Sequence, residues 1–327
     1  VSTPLRWGLL GTALINRRLI PALRAARRSE LVAVASRDGD RAAGYAREWG
    51  ISTAHSSYEA LLRDRSIDAV YVPVPNSLHV EWTLRALDAG KHVLCEKPLA
   101  LTPDDVDRVA AVARARSLVV AEAFMYRHEP LIAKVVELVR DGTIGRPWLM
   151  ASGFTFVQSR MPDVRLDPSL GGGSLWDIGC YAVSAVRLVA GQEPASAFGV
   201  AAMTESGVDD AFSGVLHFPG GLVASVHSSF RADYRTWLEV AGADGVLRVD
   251  NPFRPRQREP IVIHRGNETR QIAVDGSPEL FVRQIEDFVG AALDGRPPAV
   301  SLAETRGNTA ALVALYRSAQ TGCKVAI

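Results

Sequence analysis

Glu96-Lys97-Pro98 places a carboxylate, an ammonium and a proline directly after the apolar run Lys91-His92-Val93-Leu94-Cys95. Charged side chains are seldom fully buried unless paired. The carboxyl ends of parallel strands are where α/β sheets bind ligands. A lysine fixed at such an edge is a candidate acid; the same three residues would equally serve as the charged, solvated start of a helix. A second set lies downstream, where Gly171-Gly172-Gly173-Ser174 leads into Leu175-Trp176-Asp177-Ile178-Gly179-Cys180-Tyr181. Ser174 is placed as an N-cap, and Asp177 and Tyr181, four apart, share one helix face. A carboxylate and a phenol so arranged suit a site, although a partner for the helix dipole and a core aromatic would give the same pattern.

The third set is Gly8-Leu9-Leu10-Gly11-Thr12-Ala13-Leu14-Ile15-Asn16. A dinucleotide loop needs a tight turn, close backbone approach to pyrophosphate and a helix N-terminus. Counted from Gly11, Ala13 and Asn16 stand where glycines are usual. The segment therefore reads either as a cofactor cradle or as an ordinary strand-to-helix turn. Ser36-Arg37-Asp38 follows the next apolar run. An acidic residue at this strand end would hold the ribose 2′-hydroxyl of NAD; a hydroxyl and a guanidinium suit a 2′-phosphate. NADP(H) is the expected cofactor, with NAD(H) as the alternative if Asp38 takes the ribose.

The elements that must position these groups alternate along the first third of the chain. Strand-like runs at 7–10, 31–35, 69–73, 92–95 and 118–121 are separated by helix-like stretches at 16–26, 40–49, 57–62, 78–89 and 103–116. This is the pattern of βαβ units in a parallel sheet. From 197 to 274, strand-like runs follow one another with turn residues between them and no long helix, which predicts a mostly antiparallel sheet. Helices are predicted at 130–140, 174–188, 278–293 and 302–319. The expected fold class is α/β: an N-terminal Rossmann dinucleotide-binding domain (1–125) and a C-terminal α+β domain (126–327) with a large, mostly antiparallel open sheet. No flexible spacer marks the boundary, so a shared interface and cleft are expected.

Bulk properties narrow the function classes. A chain of 327 residues suits two domains. A net charge of +1 gives no argument for nucleic acid or a membrane surface, and no apolar stretch approaches the ~20 residues of a span. Cys95, Cys180 and Cys323 have no metal-ligand spacing; no metal is expected, and reduced thiols fit a cytoplasmic protein. Val1-Ser2-Thr3-Pro4-Leu5-Arg6 runs straight into a strand, so no signal or transit segment is expected.

Joined in this order, the pieces resemble the glucose-fructose oxidoreductase / inositol dehydrogenase / rhizopine catabolism (Gfo/Idh/MocA) family of NAD(P)-dependent oxidoreductases. The resemblance spans essentially the whole chain. It is carried by Gly8-Leu9-Leu10-Gly11-Thr12-Ala13, Pro75-Asn76-Ser77-Leu78-His79, Ala89-Gly90-Lys91 through Glu96-Lys97-Pro98, Phe124-Met125-Tyr126-Arg127-His128-Glu129-Pro130 and the segment from Gly171 to Tyr181. It implies a cis Lys97-Pro98 bond, a last helix able to pack back on the first domain, and a C-terminal sheet with helices on one face and dimer or tetramer contacts on the other. It implies cofactor contacts from Gly11, Thr12, Ala13, Leu14, Ile15, Ser36, Arg37, Pro75, Asn76, His79, Glu96, Lys97 and Arg165, and chemistry carried by Lys97, Tyr181 and Asp177.

Inositol dehydrogenase-like members carry histidine where this chain has Tyr181. Tyrosine resembles the branch with glucose-fructose oxidoreductase, dihydrodiol dehydrogenase and the sugar-nucleotide 3-ketoreductases. The expected activity is therefore NADPH-dependent reduction of the C3 ketone of a dTDP-linked 3,4-diketo-2,6-dideoxyhexose, as in deoxysugar biosynthesis. A trans-dihydrodiol or free-sugar dehydrogenase is the alternative enzyme, and a non-catalytic NADP(H) sensor the alternative of another class. Lys97 or Tyr181, with ordinary pKa values near 10, would donate the proton. Glu96 would orient Lys97, and Asp177 would position Tyr181 or a sugar hydroxyl. Arg17, Arg18, Arg160 and Arg235 are candidates to grip a diphosphate, each also readable as solvated surface charge.

Overall fold

The computed structural model describes residues 3–160, 162–276 and 280–327. The predicted start of a helix at Pro278, and the residues Val1 and Ser2, lie outside the described residues. The chain divides into two compact units: Val1–His128 with Glu279–Arg306, and Glu129–Pro278 with Gly307–Ile327.

The first unit is built on a parallel six-stranded sheet of order β3-β2-β1-β4-β5-β6. Its strands are β1 (Leu5–Leu10), β2 (Ser29–Ala35), β3 (Thr53–His55), β4 (Ala69–Val72), β5 (His92–Cys95) and β6 (Val120–Glu122). Central strands read as continuous apolar runs because both faces are covered; Leu9, Leu10 and all of Ala69–Val72 are buried. The connecting helices are α1 (Asn16–Ala25), α2 (Gly39–Trp49), α3 (Tyr58–Arg63), α4 (His79–Asp88) and α5 (Pro103–Ala115). Side-chain caps fix three of their starts: Asp38 accepts from the Arg41 amide at 3.1 Å, Ser57 from Ala60 at 3.1 Å and Thr102 from Asp105 at 3.2 Å. Strand order reverses between β1 and β4, the switch point at which such sheets take ligands. Gly11 follows β1, Pro75 and Asn76 follow β4, and Glu96 and Lys97 follow β5, all at this carboxyl edge. Strand β3 escaped the sequence reading because three residues are too few to show a period.

The second unit holds α6 (Pro130–Arg140), α7 (Cys180–Ala190) and a nine-stranded sheet of order β14-β13-β12-β11-β7-β10-β9-β8-β15. The strands are β7 (Pro147–Thr155), β8 (Ser196–Met203), β9 (Asp209–His217), β10 (Val223–Ser229), β11 (Arg235–Gly242), β12 (Val246–Val249), β13 (Arg258–Arg265), β14 (Glu268–Asp275) and β15 (Val325–Ala326). Every pairing is antiparallel except β7 with β10. Alternation assigns the faces: Thr236, Leu238 and Val240 are buried on the side where α7 packs, while Arg235, Trp237 and Glu239 point the other way. That other face leaves Phe198, Val200 and Val215 exposed.

Two helices complete the chain, α8 (Val282–Asp294) and α9 (Leu302–Thr321). The sequence division placed everything after residue 125 in the second domain; α8 instead belongs to the first unit. Its apolar face covers β1, with the Phe288 and Trp7 rings 5.0 Å apart, and Arg27 and Arg28 pair with Glu286 and Asp294. Nothing local in 279–306 announces which core its apolar stripe will cover. Among the described residues no helix is long and apolar enough to cross a membrane. Because Phe288 is buried against Trp7, Phe288→Ala should destabilise the first unit by about 3–5 kcal/mol. Calorimetry checks this, and an unchanged transition midpoint would contradict the placement of α8.

Candidate active site

The loop after β1 has the geometry of an anion cradle. Gly11 adopts φ +119°, and a Cβ there would lie 3.1 Å from the Tyr58 hydroxyl, so only glycine fits. Asn16 is fully buried and donates Nδ2 to the Gly11 carbonyl at 2.8 Å. The asparagine in the place of the third glycine thus closes the loop. Helix α1 has Ile15 at its N-cap position, with no side-chain cap bond and no acidic residue in its first turn, which leaves its N-terminus to an anion. These residues fit a dinucleotide pyrophosphate.

At the end of β2, the Asp38 carboxylate is occupied as the cap of α2, and its amide donates to Ser36 Oγ at 3.2 Å. Arg37 is exposed. Two residues missed in the sequence join this corner. Arg41 reaches the Thr12 carbonyl at 3.5 Å. Burial raises the Tyr58 phenol, and the Arg37 and Arg41 guanidiniums pull it back. Both cations therefore act on one hydroxyl beside Gly11. Arg41 lies beyond the strand end, where spacing gives no signal.

The turn after β5 is braced from several elements. The Lys97-Pro98 peptide is cis. Tyr71, fully buried on β4, donates its hydroxyl to Glu96 Oε1 at 2.5 Å, and the Lys97 amide donates to Glu96 Oε2 at 3.3 Å. Glu122, buried at the end of β6, accepts from the Leu99 amide and from the Thr305 hydroxyl, both at 2.9 Å. His79 is also buried, and its Nδ1 donates to the Pro98 carbonyl at 2.7 Å. His79 thus ties the start of α4 to the turn. Lys97 itself is half-buried.

In the second unit the segment Leu175–Gly179 is π-helical and runs directly into α7, where an unbroken α-helix was expected. Ser174 is not its cap: it has helical backbone angles and lacks a side-chain cap bond. The capping group is Asp209, at the start of β9. Its carboxylate accepts from Ser174 Oγ at 2.7 Å, the Leu175 amide at 2.8 Å and the Tyr316 hydroxyl at 2.5 Å. Gly173, at φ +125°, leaves room for it; a Cβ would sit 2.3 Å from Asp209 Oδ1. Burial raises the Asp209 carboxyl and pushes the Tyr316 phenol well above its ordinary value.

Asp177 accepts from Arg165 Nε at 2.6 Å, and Asp163 holds the same guanidinium at 3.2 Å. The Asp177 charge, the larger effect, keeps Arg165 above its ordinary range against the cost of burial. Tyr181 is 5% exposed, its ring 5.7 Å from Phe154 and 5.3 Å from Phe253.

Arg17 is exposed and faces Glu48 at 3.7 Å, and Arg18 and Arg160 are exposed. Arg235 stacks over Trp237 at 4.6 Å on the face of the sheet opposite α7, hence opposite Tyr181. One residue of register separates the faces, which composition alone does not reveal.

Residues 5–124 match the family described as "Oxidoreductase family, NAD-binding Rossmann fold", and residues 132–248 match the GFO/IDH/MocA C-terminal domain. The chain belongs to the GFO/IDH/MocA family. It is 39% identical over 326 residues to D-xylose 1-dehydrogenase (NADP(+)) 2 of Haloferax volcanii, covering 98% of each chain. It is 38% identical over 300 residues to a dTDP-3,4-didehydro-2,6-dideoxy-alpha-D-glucose 3-reductase of Streptomyces antibioticus, covering 90% of each. A 3-ketoreductase from Actinomadura kijaniata, solved in complex with NADP and TDP-benzene, matches with a TM-score of 0.92 at 32% identity, over 97% of this chain and 98% of that one. As a GFO/IDH/MocA protein the chain is an NAD(P)-dependent oxidoreductase acting on a CH–OH or ketone group.

The GFO/IDH/MocA turn carries a pH signature through His79. Burial lowers this ring from 6.5 to about 4, against the opposing pull of the Pro98 carbonyl. The unfolded ring binds a proton below about pH 6.5 and the folded ring only near pH 4. Stability from this group is full above pH 6.5 and is lost as pH falls toward 4, by roughly 3 kcal/mol in all. Carbon-13 NMR of labelled histidine should find His79 neutral at pH 5.5; a protonated ring there would contradict its burial under the turn.

Proposed function

We propose that this protein is an NADPH-dependent sugar ketoreductase that reduces the C3 ketone of a dTDP-linked 3,4-diketo-2,6-dideoxyhexose. The observation that carries this reading is the near full-length match to a 3-ketoreductase solved with NADP and TDP-benzene. The Gly11–Ile15 loop and the N-terminus of α1 hold the pyrophosphate, and Ser36, Arg37 and Arg41 hold the 2′-phosphate. Pro75 and Asn76 bound the cofactor at the switch point.

The bound cofactor supplies a hydride to the carbonyl carbon. The chain must stabilise the negative charge that develops on the ketone oxygen and deliver one proton to it. The Lys97 ammonium does both, on a backbone fixed through Glu96, His79 and Glu122. Tyr181 is the alternative proton donor. Asp177, already aligned by Arg165, receives a sugar hydroxyl. The three cysteines, all free thiols, support work in the cytoplasm. The exposed Phe198, Val200 and Val215 on the open sheet face support assembly into a homo-oligomer through that face.

A second reading, NADP-dependent oxidation of a free pentose, is favoured by the 39% identity to the Haloferax enzyme. It uses the same groups in reverse, with Lys97 or Tyr181 accepting the hydroxyl proton. Following NADPH at 340 nm decides between them. The proposal expects a kcat/KM on the order of 10⁴ M⁻¹ s⁻¹ or more for the dTDP-diketo sugar and far less for xylose with NADP⁺; the reverse order would replace it with the second reading. Tyr181→Phe should lower kcat by roughly a hundredfold, and an undiminished rate would leave Lys97 as sole donor. Arg37→Ala and Arg41→Ala should each raise KM for NADPH by roughly tenfold, through loss of a charge-assisted phosphate pair, and leave KM for NADH unchanged. Equal effects on both cofactors would remove these residues from the 2′-phosphate.

A further inference from the structure

Within the second unit, an arginine that the sequence does not single out lies over the ring against which Tyr181 packs. Phe154, on β7, is the ring on which the Tyr181 surroundings are built. Tyr181 meets it at 5.7 Å on one side, and Phe253 stacks on it at 5.9 Å with an interplanar angle of 15°. Tyr234 meets it edge-on at 6.0 Å, and the Arg254 guanidinium lies over it at 5.9 Å. Phe154 thus links Tyr181 to Tyr234 and Arg254, with Phe253 packed against both it and Tyr181. The two outer members are reachable: Tyr234 is 47% exposed and Arg254 is exposed. Among the described residues Arg254 has no carboxylate partner.

The segment that carries Arg254 is held in place. Phe253 is fully buried. Glu259, buried on β13, accepts from Asn251 Nδ2 and from the Arg256 amide, both at 3.1 Å. One carboxylate thus clamps both ends of Asn251–Arg256. The arginine is presented by a braced turn, its guanidinium carbon 5.9 Å from the Phe154 ring centre and the residue exposed. A guanidinium so placed is suited to a phosphate oxygen, and an exposed phenol ring beside it is suited to a nucleobase.

We infer that Tyr234 and Arg254 form a nucleoside-diphosphate subsite: Tyr234 stacks on the base and Arg254 pairs with the diphosphate of the substrate whose sugar reaches Tyr181. This rests on the nucleotide-sugar reading above and assigns it two residues. A free pentose has neither a base nor a phosphate and would leave both side chains idle.

The test is calorimetric titration of dTDP into the NADP⁺-saturated enzyme, so that the cofactor site is closed to the added nucleotide. Both side chains are exposed, so Arg254→Ala and Tyr234→Ala leave the core intact, and unchanged NADP⁺ affinity verifies it. The wild type should bind dTDP, and each variant should bind it roughly tenfold more weakly or worse. Wild-type binding with either variant as tight as wild type would overturn the subsite while leaving the nucleotide-sugar reading in place. Failure of the wild-type holoenzyme to bind dTDP would overturn that reading, and the subsite with it.

Discussion

The Glu122 carboxylate, buried at the end of β6 and bonded to the Leu99 amide and the Thr305 hydroxyl, is the interaction on which the active turn depends. A lysine has a flexible four-carbon stem. Its usefulness as an acid depends on how firmly its backbone is set. Here the residues on either side of Lys97 are tied down: Glu96 by Tyr71, Pro98 by His79 and Leu99 by Glu122. The ties come from β4, α4 and β6, three separate elements of one sheet edge. An uncompensated buried carboxylate is costly, so Glu122 also makes the surrounding donors obligatory. Loss of either donor would remove part of the compensation of this buried carboxylate.

The same device recurs in the second unit. Asp209 gathers Ser174, Leu175 and Tyr316 around the entry to the π-helical segment that bears Asp177 and precedes Tyr181. Glu259 clamps the turn that bears Arg254. Each of the three carboxylates sits on a strand and fixes a neighbouring irregular segment, and each such segment carries a polar group suited to chemistry or binding. Rigid strands thus set the geometry of loops that would otherwise move. The π-helical segment fits this view, since such bulges occur often at functional sites.

Much of this was readable from residue order. Apolar runs alternating with helical stretches gave the parallel sheet, and Lys97-Pro98 stood out because its chemistry is wrong for a core. What escaped the sequence was pairing across distance. Glu122 and Thr305 are 183 positions apart, and Ser174 looked like a cap because its true capping partner lies 35 residues downstream. Asn16 departs from the usual glycine pattern, and only the folded loop brings its amide to the Gly11 carbonyl. Arg254 carries no spacing signal, and composition does not report which face of a strand Arg235 occupies. Arg165 was expected at the cofactor, and its nearest charges are Asp163 and Asp177.

The central claim is that the braced Lys97 ammonium stabilises the developing alkoxide and delivers its proton. The most direct measurement is the single-turnover rate of NADPH oxidation by Lys97→Ala at saturating ketone substrate, read beside the NADPH dissociation constant. The account predicts a rate lowered by roughly a hundredfold or more with cofactor affinity essentially unchanged. A hydride-transfer rate equal to that of the wild type would contradict it.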